Sequence, residues 1–397
     1  MIKYFVAGCL ATSFLAFAET PPPWGETLKD AEKQTVYWNA WGGADNINAY
    51  IDWVAKRVKE DYKITLKHVK LADTADAVSR VLAEKAAGND TNGSIDLIWI
   101  NGENFRTLKN NNLLFGPFSN NLPNYRYVDE SSRTSLTQDF GTKVDGMESP
   151  WGAAQVIFMH DTEILVEPPK SIPSLLDYAK KNPGRITYPE PPQFLGTTFL
   201  KQALIELTNH PEKLSAPVSD ANFTLVTEPL WAYLDELHPV AWRQGSSFPS
   251  GAEQMMRLLD DQEIDIALSF DVSAASVQIE QGNLPDTVRS YVFENGTIGN
   301  THFVAIPYNS ASTAGAQVVA DFLLSPEAQL KKQHPTTWGD LSVLTFNRLP
   351  KKYQTAFNDL PRGVATLSIE SLGKSLPEPH GSWVEALEKE WRKRYSR

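Results

Sequence analysis

An apolar run, Val36-Tyr37-Trp38, is followed after a polar turn by Ile47, Tyr50, Ile51, Val54 and Val58, and then by the alternating run Lys63 to Val69. The middle set recurs at helical spacing and the two flanking runs read as strands. A strand, a helix of about a dozen residues and a second strand make a βαβ unit, whose strands lie parallel and are joined by a right-handed crossover. No other stretch constrains the fold as strongly, because parallel strands must be covered on both faces. The pattern continues. Asp73 to Ala87 reads as a helix with Ala77, Val81 and Leu82 on one face, and Ser94 to Ile100 as an apolar strand of the buried kind. The expected class is α/β.

The first turn carries Gly42 and Gly43 and ends at Asp45 and Asn46, both good N-cap residues. Trp38 and Trp41 therefore sit at or just beyond a strand's carboxyl end, above a helix N-terminus with unpaired amides. Ligands bind at that place in open α/β sheets, although either tryptophan could instead be a core residue. The third strand repeats the arrangement in Asn101-Gly102-Glu103-Asn104-Phe105, before a helix from Phe105 to Asn110. Farther on, a strand at Gly184 to Tyr188 ends in Glu190-Pro191-Pro192-Gln193-Phe194 and a helix from Thr197 to Thr208, and an apolar strand from Ile264 to Phe270 runs straight into Asp271. Four turns thus pair an aromatic ring with a carboxylate. That combination suits a flat or cationic organic ligand, held by ring faces and neutralised by acids. Each carboxylate alone could equally cap a helix or sit on the surface.

The remaining segments fill in two halves. Pro150-Trp151-Gly152 leads into a strand at Ala153 to His160, with a first crossing between domains at Trp151 to Val156. Helices are expected at Thr27 to Lys33, Ser174 to Lys181, Glu228 to Leu237 and Ala311 to Leu324, and at Ser250 to Asp260 with Ser250 and Glu253 as a capping box. Val288 to Phe293 reads as a strand, Gly296 to Asn300 as a turn and Thr301 to Pro307 as a strand returning to the first half. The end of the chain, Trp338 to Arg397, reads as mostly helical, with Val384, Leu387 and Trp391 at helical spacing.

A chain of 397 residues exceeds one ordinary core and suggests two or three domains. Its net charge of -11 argues against nucleic acid or an anionic membrane surface as partner, since polyanion binding needs clustered lysine and arginine. Lys3, an apolar run from Tyr4 to Phe17 and Ala16-Phe17-Ala18 form an export signal with cleavage expected after Ala18. Val6-Ala7-Gly8-Cys9 also resembles a lipoprotein box, but cleavage there would leave too short an apolar core. Cys9 is the one cysteine, so the exported chain has none for a disulfide or a zinc site. No later stretch is long and apolar enough for a membrane span. There is no phosphate loop, zincin pair, nucleophile elbow or dinucleotide fingerprint, and the seven histidines show no helical pairing for a metal. No catalytic residue, metal or cofactor is expected. Two carboxylates could in principle hydrolyse a glycoside, and a secreted carbohydrate-active hydrolase stays open as the alternative.

The signal segment, VYWNAWGG, SIDLIWINGENF, YPEPPQFLGTTF and above all NTHFVAIPYNSASTAGAQVVADFLLSPEAQ, Asn300 to Gln329, resemble the periplasmic solute-binding proteins of ABC importers. The likeness is to the group of iron, polyamine, thiamine and maltose binders, and within it to a thiamine-type subgroup. The resemblance implies a two-lobed, type II periplasmic binding protein. Each lobe would be a mainly parallel sheet flanked by helices, with the ligand in the cleft and closure by a hinge. It places an N-terminal lobe at 27–153 and 303–336, a C-terminal lobe at 154–302, and a helical segment at 337–397 packing on the lobes, after a signal at 1–18. It also implies a monomer that captures a small solute and delivers it to an inner-membrane permease and its ATPase. Trp38, Trp41, Asp45, Glu103, Asn104, Glu190, Phe194, Thr197 and Asp271 belong to turns that match positions lining the cleft in relatives, and Trp151, at the crossing, is a further ligand-binding candidate. No Tyr-Tyr pair of the kind ferric-ion binders use occurs in the chain, which argues against iron. A sensory or scaffolding relative that binds solute for a receptor is a further possibility.

Overall fold

The computed structural model describes residues 23–368 and 370–396. The export signal, its cleavage after Ala18 and Cys9 lie outside the described residues.

The first lobe grows from the βαβ unit. After helix α1 (Trp24–Ala31), strand β1 (Thr35–Trp41) pairs in parallel with β2 (Thr65–Leu71), and α2 (Asp45–Tyr62) crosses between them. Ile47, Tyr50, Ile51, Val54 and Val58 form the buried face of α2, as their spacing predicts. Helix α3 (Thr74–Ala86) buries Ala77, Val78 and Val81; Leu82 points outward, one position off the core-facing stripe. Strand β3 (Leu97–Ile100) is the other parallel neighbour of β1, and α4 follows at Gly102–Asn110. A small antiparallel hairpin, β4 (Gln138–Asp139) and β5 (Thr142–Lys143), precedes the first crossing.

The expected strand at 153–160 is two strands in two sheets. Strand β6 (Glu148–Gln155) belongs to the first sheet and β7 (Ile157–Asp161) to the second, with Val156 between them. In the second lobe follow α5 (Ile172–Lys181), α6 (Phe194–Leu207), α7 (Asp220–Leu237), α8 (Ala252–Asp260), β8 (Ala267–Ser269), α9 (Ala274–Glu280) and β9 (Val288–Tyr291). Its sheet, ordered β8-β7-β9, is antiparallel throughout and so departs from the mainly parallel expectation. The segment Gly184 to Tyr188 forms no ladder. It runs extended, with the Arg185 carbonyl accepting from the Asp265 amide and the Ile186 carbonyl from the Trp242 amide. Helix α8 starts behind Gly251 without a side-chain cap, because the Ser250 amide is turned to the Gln254 side chain.

Strand β10 (Thr297–Ala305) returns to the first lobe and takes in part of the expected turn at 296–300. It pairs antiparallel with β6 from Gly299 to Ala305 and with β3 from Phe303 to Ala305. These two long strands join the lobes. Helix α10 (Thr313–Leu323) packs on the first sheet, and Ser325 and Pro326 begin α11 (Pro326–Gln333), with the Ser325 hydroxyl oxygen accepting from the Ala328 amide. The end of the chain is less helical than expected: α12 (Lys351–Asn358) and α13 (Ser382–Tyr395) flank an extended stretch whose β11 (Ser375–Leu376) pairs with the start of β10.

Two large cores result. The first holds Trp38, Tyr50 and Trp151 with Val318, Val319 and Phe322 of α10. The second gathers α5 to α9 and takes in Trp383, Leu387 and Trp391 of α13. The last helix is therefore part of that interior. The Trp391 indole donates to the Tyr188 hydroxyl at 2.8 Å, which in turn contacts His238 Nε2 at 2.7 Å. Among the described residues no helix is long and apolar enough to cross a membrane.

Candidate functional site

The lobes meet where α4 begins. Gly102 has φ +60°, a conformation glycine adopts without a Cβ penalty, and its amide donates to Asp139 Oδ2 at 2.6 Å. That bond brings the tip of the β4–β5 hairpin over the start of α4, and the Phe140 carbonyl accepts from the Gly381 amide at the head of α13. Glu103 on α4 consequently faces Glu385 and Glu388 on α13. Partial burial pushes the Glu103 carboxyl up, and the charges of Glu385 and Glu388 push it further, against the pull of Arg106. Burial also raises Glu388, while a 2.7 Å bond from the Thr197 hydroxyl and the charges of Arg392 and Lys201 oppose the rise.

Aromatic rings adjoin these acids. Phe194, half exposed at the start of α6, lies 5.4 Å from Phe270, ring to ring. The buried Lys201 ammonium sits 4.9 Å from the Phe140 ring and 5.8 Å from that of Phe194, and it donates to Glu378 Oε2 at 2.6 Å. With Lys201 paired to Glu378, the three carboxylates are countered by two guanidinium groups, Arg106 beside Glu103 and Arg392 beside Glu388. This arrangement can attract and hold a positive group against ring faces.

A second group ties Asp271 to the crossing strands. Its Oδ1 accepts from the Ser273 amide at 2.9 Å, and the Ser273 hydroxyl donates to the Gly339 carbonyl of the returning chain. Burial pushes Asp271 up to about 6; Asp340 adds to the rise and His302 opposes it. His302, on β10, contacts Asp340 at 3.2 Å, and Asp340 also pairs with the fully buried Lys332. Trp99, Trp151 and Trp338 pack around this triad, with the Lys332 ammonium 5.7 Å from Trp151 and 5.6 Å from Trp338. Gly152 makes room for it: a Cβ there would collide with the Asp340 carboxylate and the Lys332 ammonium.

Of the ten residues singled out in the sequence, Glu103, Phe194 and Thr197 come together at the lobe junction, and Asp271 lies in the second group. Asn104 is half-buried beside Glu103 on α4. Trp38 and Trp151 are corrected to core residues: both are fully buried, with their rings 5.3 Å apart edge to face, because β1 and β6 turn those positions into the first interior. Trp41 remains 39% exposed and folds over Gly43, and Asp45 is exposed at the first position of α2, behind Ala44 as the cap residue. Among the described residues no hydrogen bond or ring contact joins either of them to the second lobe. Glu190 is exposed, and its amide is bound to the Pro249 carbonyl. The start of α6 offers fewer open amides than expected, since the Gln193 side chain accepts from those of Leu195 and Gly196.

Sequence reasoning missed Phe140, Lys201, Glu378, Glu385 and Glu388. Lys201 carried a readable signal, a charge set among Phe199, Leu200, Ala203 and Leu204 in an otherwise apolar helix. The others carried none, because they come from an irregular hairpin and from the distant end of the chain. Among the described residues no group of three or more His, Cys, Asp or Glu is placed to hold a metal ion.

Comparison with known proteins gives a consistent picture. The family model described as bacterial extracellular solute-binding protein matches residues 53–357. Protein YnjB of Escherichia coli (strain K12) is 46% identical over 384 residues, covering 96% of each chain. In three dimensions the chain is similar to an ABC transporter structure from Clostridium perfringens, with a TM-score of 0.63 at 13% identity over 91% of this chain and 98% of that one. It is likewise similar to the spermidine/putrescine ABC transporter substrate-binding protein PotD of Streptococcus pneumoniae, with a TM-score of 0.59 at 15% identity over 90% and 99%. At such identities these two likenesses are of fold, that of the two-lobed type II periplasmic binding proteins.

Proposed function

The chain belongs to the bacterial extracellular solute-binding protein family, and on that premise we propose that it captures a small, positively charged organic solute between its lobes and delivers it to an ABC importer. The observation that carries the charge is the opposition of Glu103 to Glu385 and Glu388 across the lobe junction, where burial and the charges of the two facing acids hold the Glu103 carboxyl above the ordinary range. Like charges held together in a partly buried place cost free energy in the empty protein, and a cation entering between them recovers it. Phe194 and Phe270 supply ring faces of the kind that thiamine-like or polyamine-like cations pack against.

In this reading β6 and β10 act as the hinge and the solute shifts the population toward a closed form. The closed form docks on an inner-membrane permease served by its ATPase, the exported protein works as a monomer in the periplasm, and no catalytic step is involved. The fold shared with PotD is compatible with a polyamine and does not distinguish it from thiamine.

A thermal-shift and tryptophan-fluorescence screen over thiamine, putrescine, spermidine, quaternary amines and neutral sugars tests the charge. A true ligand at about 100 times its Kd adds roughly 2.7 kcal/mol of stability. Stabilisation by cations and not by sugars is expected. A neutral sugar that stabilises the protein where every cation fails would overturn the reading.

A further inference from the structure

A cavity of about 390 Å³ lies beside the two crossing strands, between them and the extended stretch that carries β11. Arg133 and Lys374 are among its lining residues, and no Asp or Glu is. Among the described residues the Arg133 guanidinium makes no hydrogen bond or ion pair, and burial lowers its pKa. Its charge also bears on Lys332, whose one acidic partner, Asp340, is already shared with His302. Leaving a cation partly buried without an anion is costly, and such a group is retained where something else supplies the charge.

Two neutral groups of the same wall are also unspent. Asn300 is 6% exposed; its Oδ1 is buried without a hydrogen-bond partner, and its Nδ2 donates to no acceptor among the described residues. The Ser135 hydroxyl oxygen accepts from Thr301 at 3.0 Å, which leaves its own proton without an acceptor. Gln155, by contrast, has its Nε2 engaged in the same wall, donating to Thr297, Leu372 and Lys374. Gln155 thus holds the stretch in place, while Arg133, Ser135 and Asn300, which line the same cavity, keep groups without a partner. Guanidinium presents a planar fork of donors that matches carboxylate and phosphate oxygens.

We propose that this cavity is an oxyanion subsite in which Arg133, the Ser135 hydroxyl and the Asn300 amide hold a carboxylate or phosphate group borne by the captured solute. The inference rests on the reading of the chain as a solute-binding protein and narrows its ligand. Ser135 and Asn300 also border a smaller space with Asp139, Phe140 and Glu378, on the side of the acids at the lobe junction. A solute that reaches both places carries a cation and an oxyanion in one molecule.

The test uses the full exported chain, with inorganic phosphate and acetate as probes, titrated against chloride at constant ionic strength and followed by melting temperature and calorimetry. Stabilisation by at least one probe is expected, weakened tenfold or more by Arg133→Gln and partly kept by Arg133→Lys; which probe wins separates phosphate from carboxylate. Without a probe, Arg133→Gln should be at least as stable as the parent, because it removes an unpaired charge. Failure of both probes, equal binding by Arg133→Gln, or a less stable Arg133→Gln with unchanged binding each overturns the proposal. If cations bind and neither oxyanion does, the subsite is wrong and the cation reading stands; if an oxyanion binds and no cation does, the reverse holds.

Discussion

Replacing Asp271 by Asn tests whether the junction holds stored charge. The carboxyl is raised to about 6 from an ordinary 3.8, first by burial and then by Asp340. Its folded pKa lies above the unfolded one, so the linked stability is complete below about pH 4 and is lost as pH rises through 6. At about 1.4 kcal/mol per factor of ten, ionised Asp271 costs the fold about 3 kcal/mol at neutral pH, and residual contact with solvent brings this to about 2 kcal/mol. The asparagine keeps an oxygen for the Ser273 amide, now met at 2.9 Å, so that bond survives while the charge goes. Urea unfolding followed by tryptophan fluorescence should show Asp271→Asn stabilised by about 2 kcal/mol near pH 7.5 and by about half a kcal/mol or less near pH 4. A gain of equal size at both pH values, or none near pH 7.5, would refute the electrostatic argument.

His238 gives the opposite pH dependence. Burial takes it down to about 4, so it is neutral in the fold while the unfolded residue titrates near 6.5. Stability should drop by about 3 kcal/mol as pH falls from about 6.5 to about 4, and the slope should flatten in His238→Gln when the urea midpoint is followed against pH. Glu388→Gln keeps an acceptor for the Thr197 hydroxyl and should weaken binding of a cationic solute by about tenfold, about 1.4 kcal/mol, in calorimetry; unchanged affinity would remove this acid from the site. Gly152→Ala drives a methyl group into the Asp340 and Lys332 pair and should cost about 3 kcal/mol or more in urea unfolding, since it parts a buried ion pair. A normal midpoint for that variant would mean the crossing strand yields more readily than its packing indicates.

Local pattern settled much of this molecule. The run from Thr35 to Val69 carries its own periodicity, so the parallel pairing of β1 with β2 and the buried face of α2 were legible from residue spacing. The crossing near Val156 was marked by Pro150 and Gly152, and phrases such as LLSPEAQ carried the family. What spacing cannot tell is which side of a strand faces a partner that is distant in sequence. Trp38 and Trp41 share one strand end, and only the packing of Trp151 against β1 makes the first a core residue and leaves the second exposed. The carboxylates that oppose Glu103 come from a helix almost three hundred residues farther along the chain, and the unspent Arg133 from an irregular segment with no periodicity. The sequence by itself determined the α/β class and the family, because strand and helix periods and short phrases are local. The tertiary structure alone decided where charge accumulates without a partner, because burial and distance between remote groups belong to the packed chain.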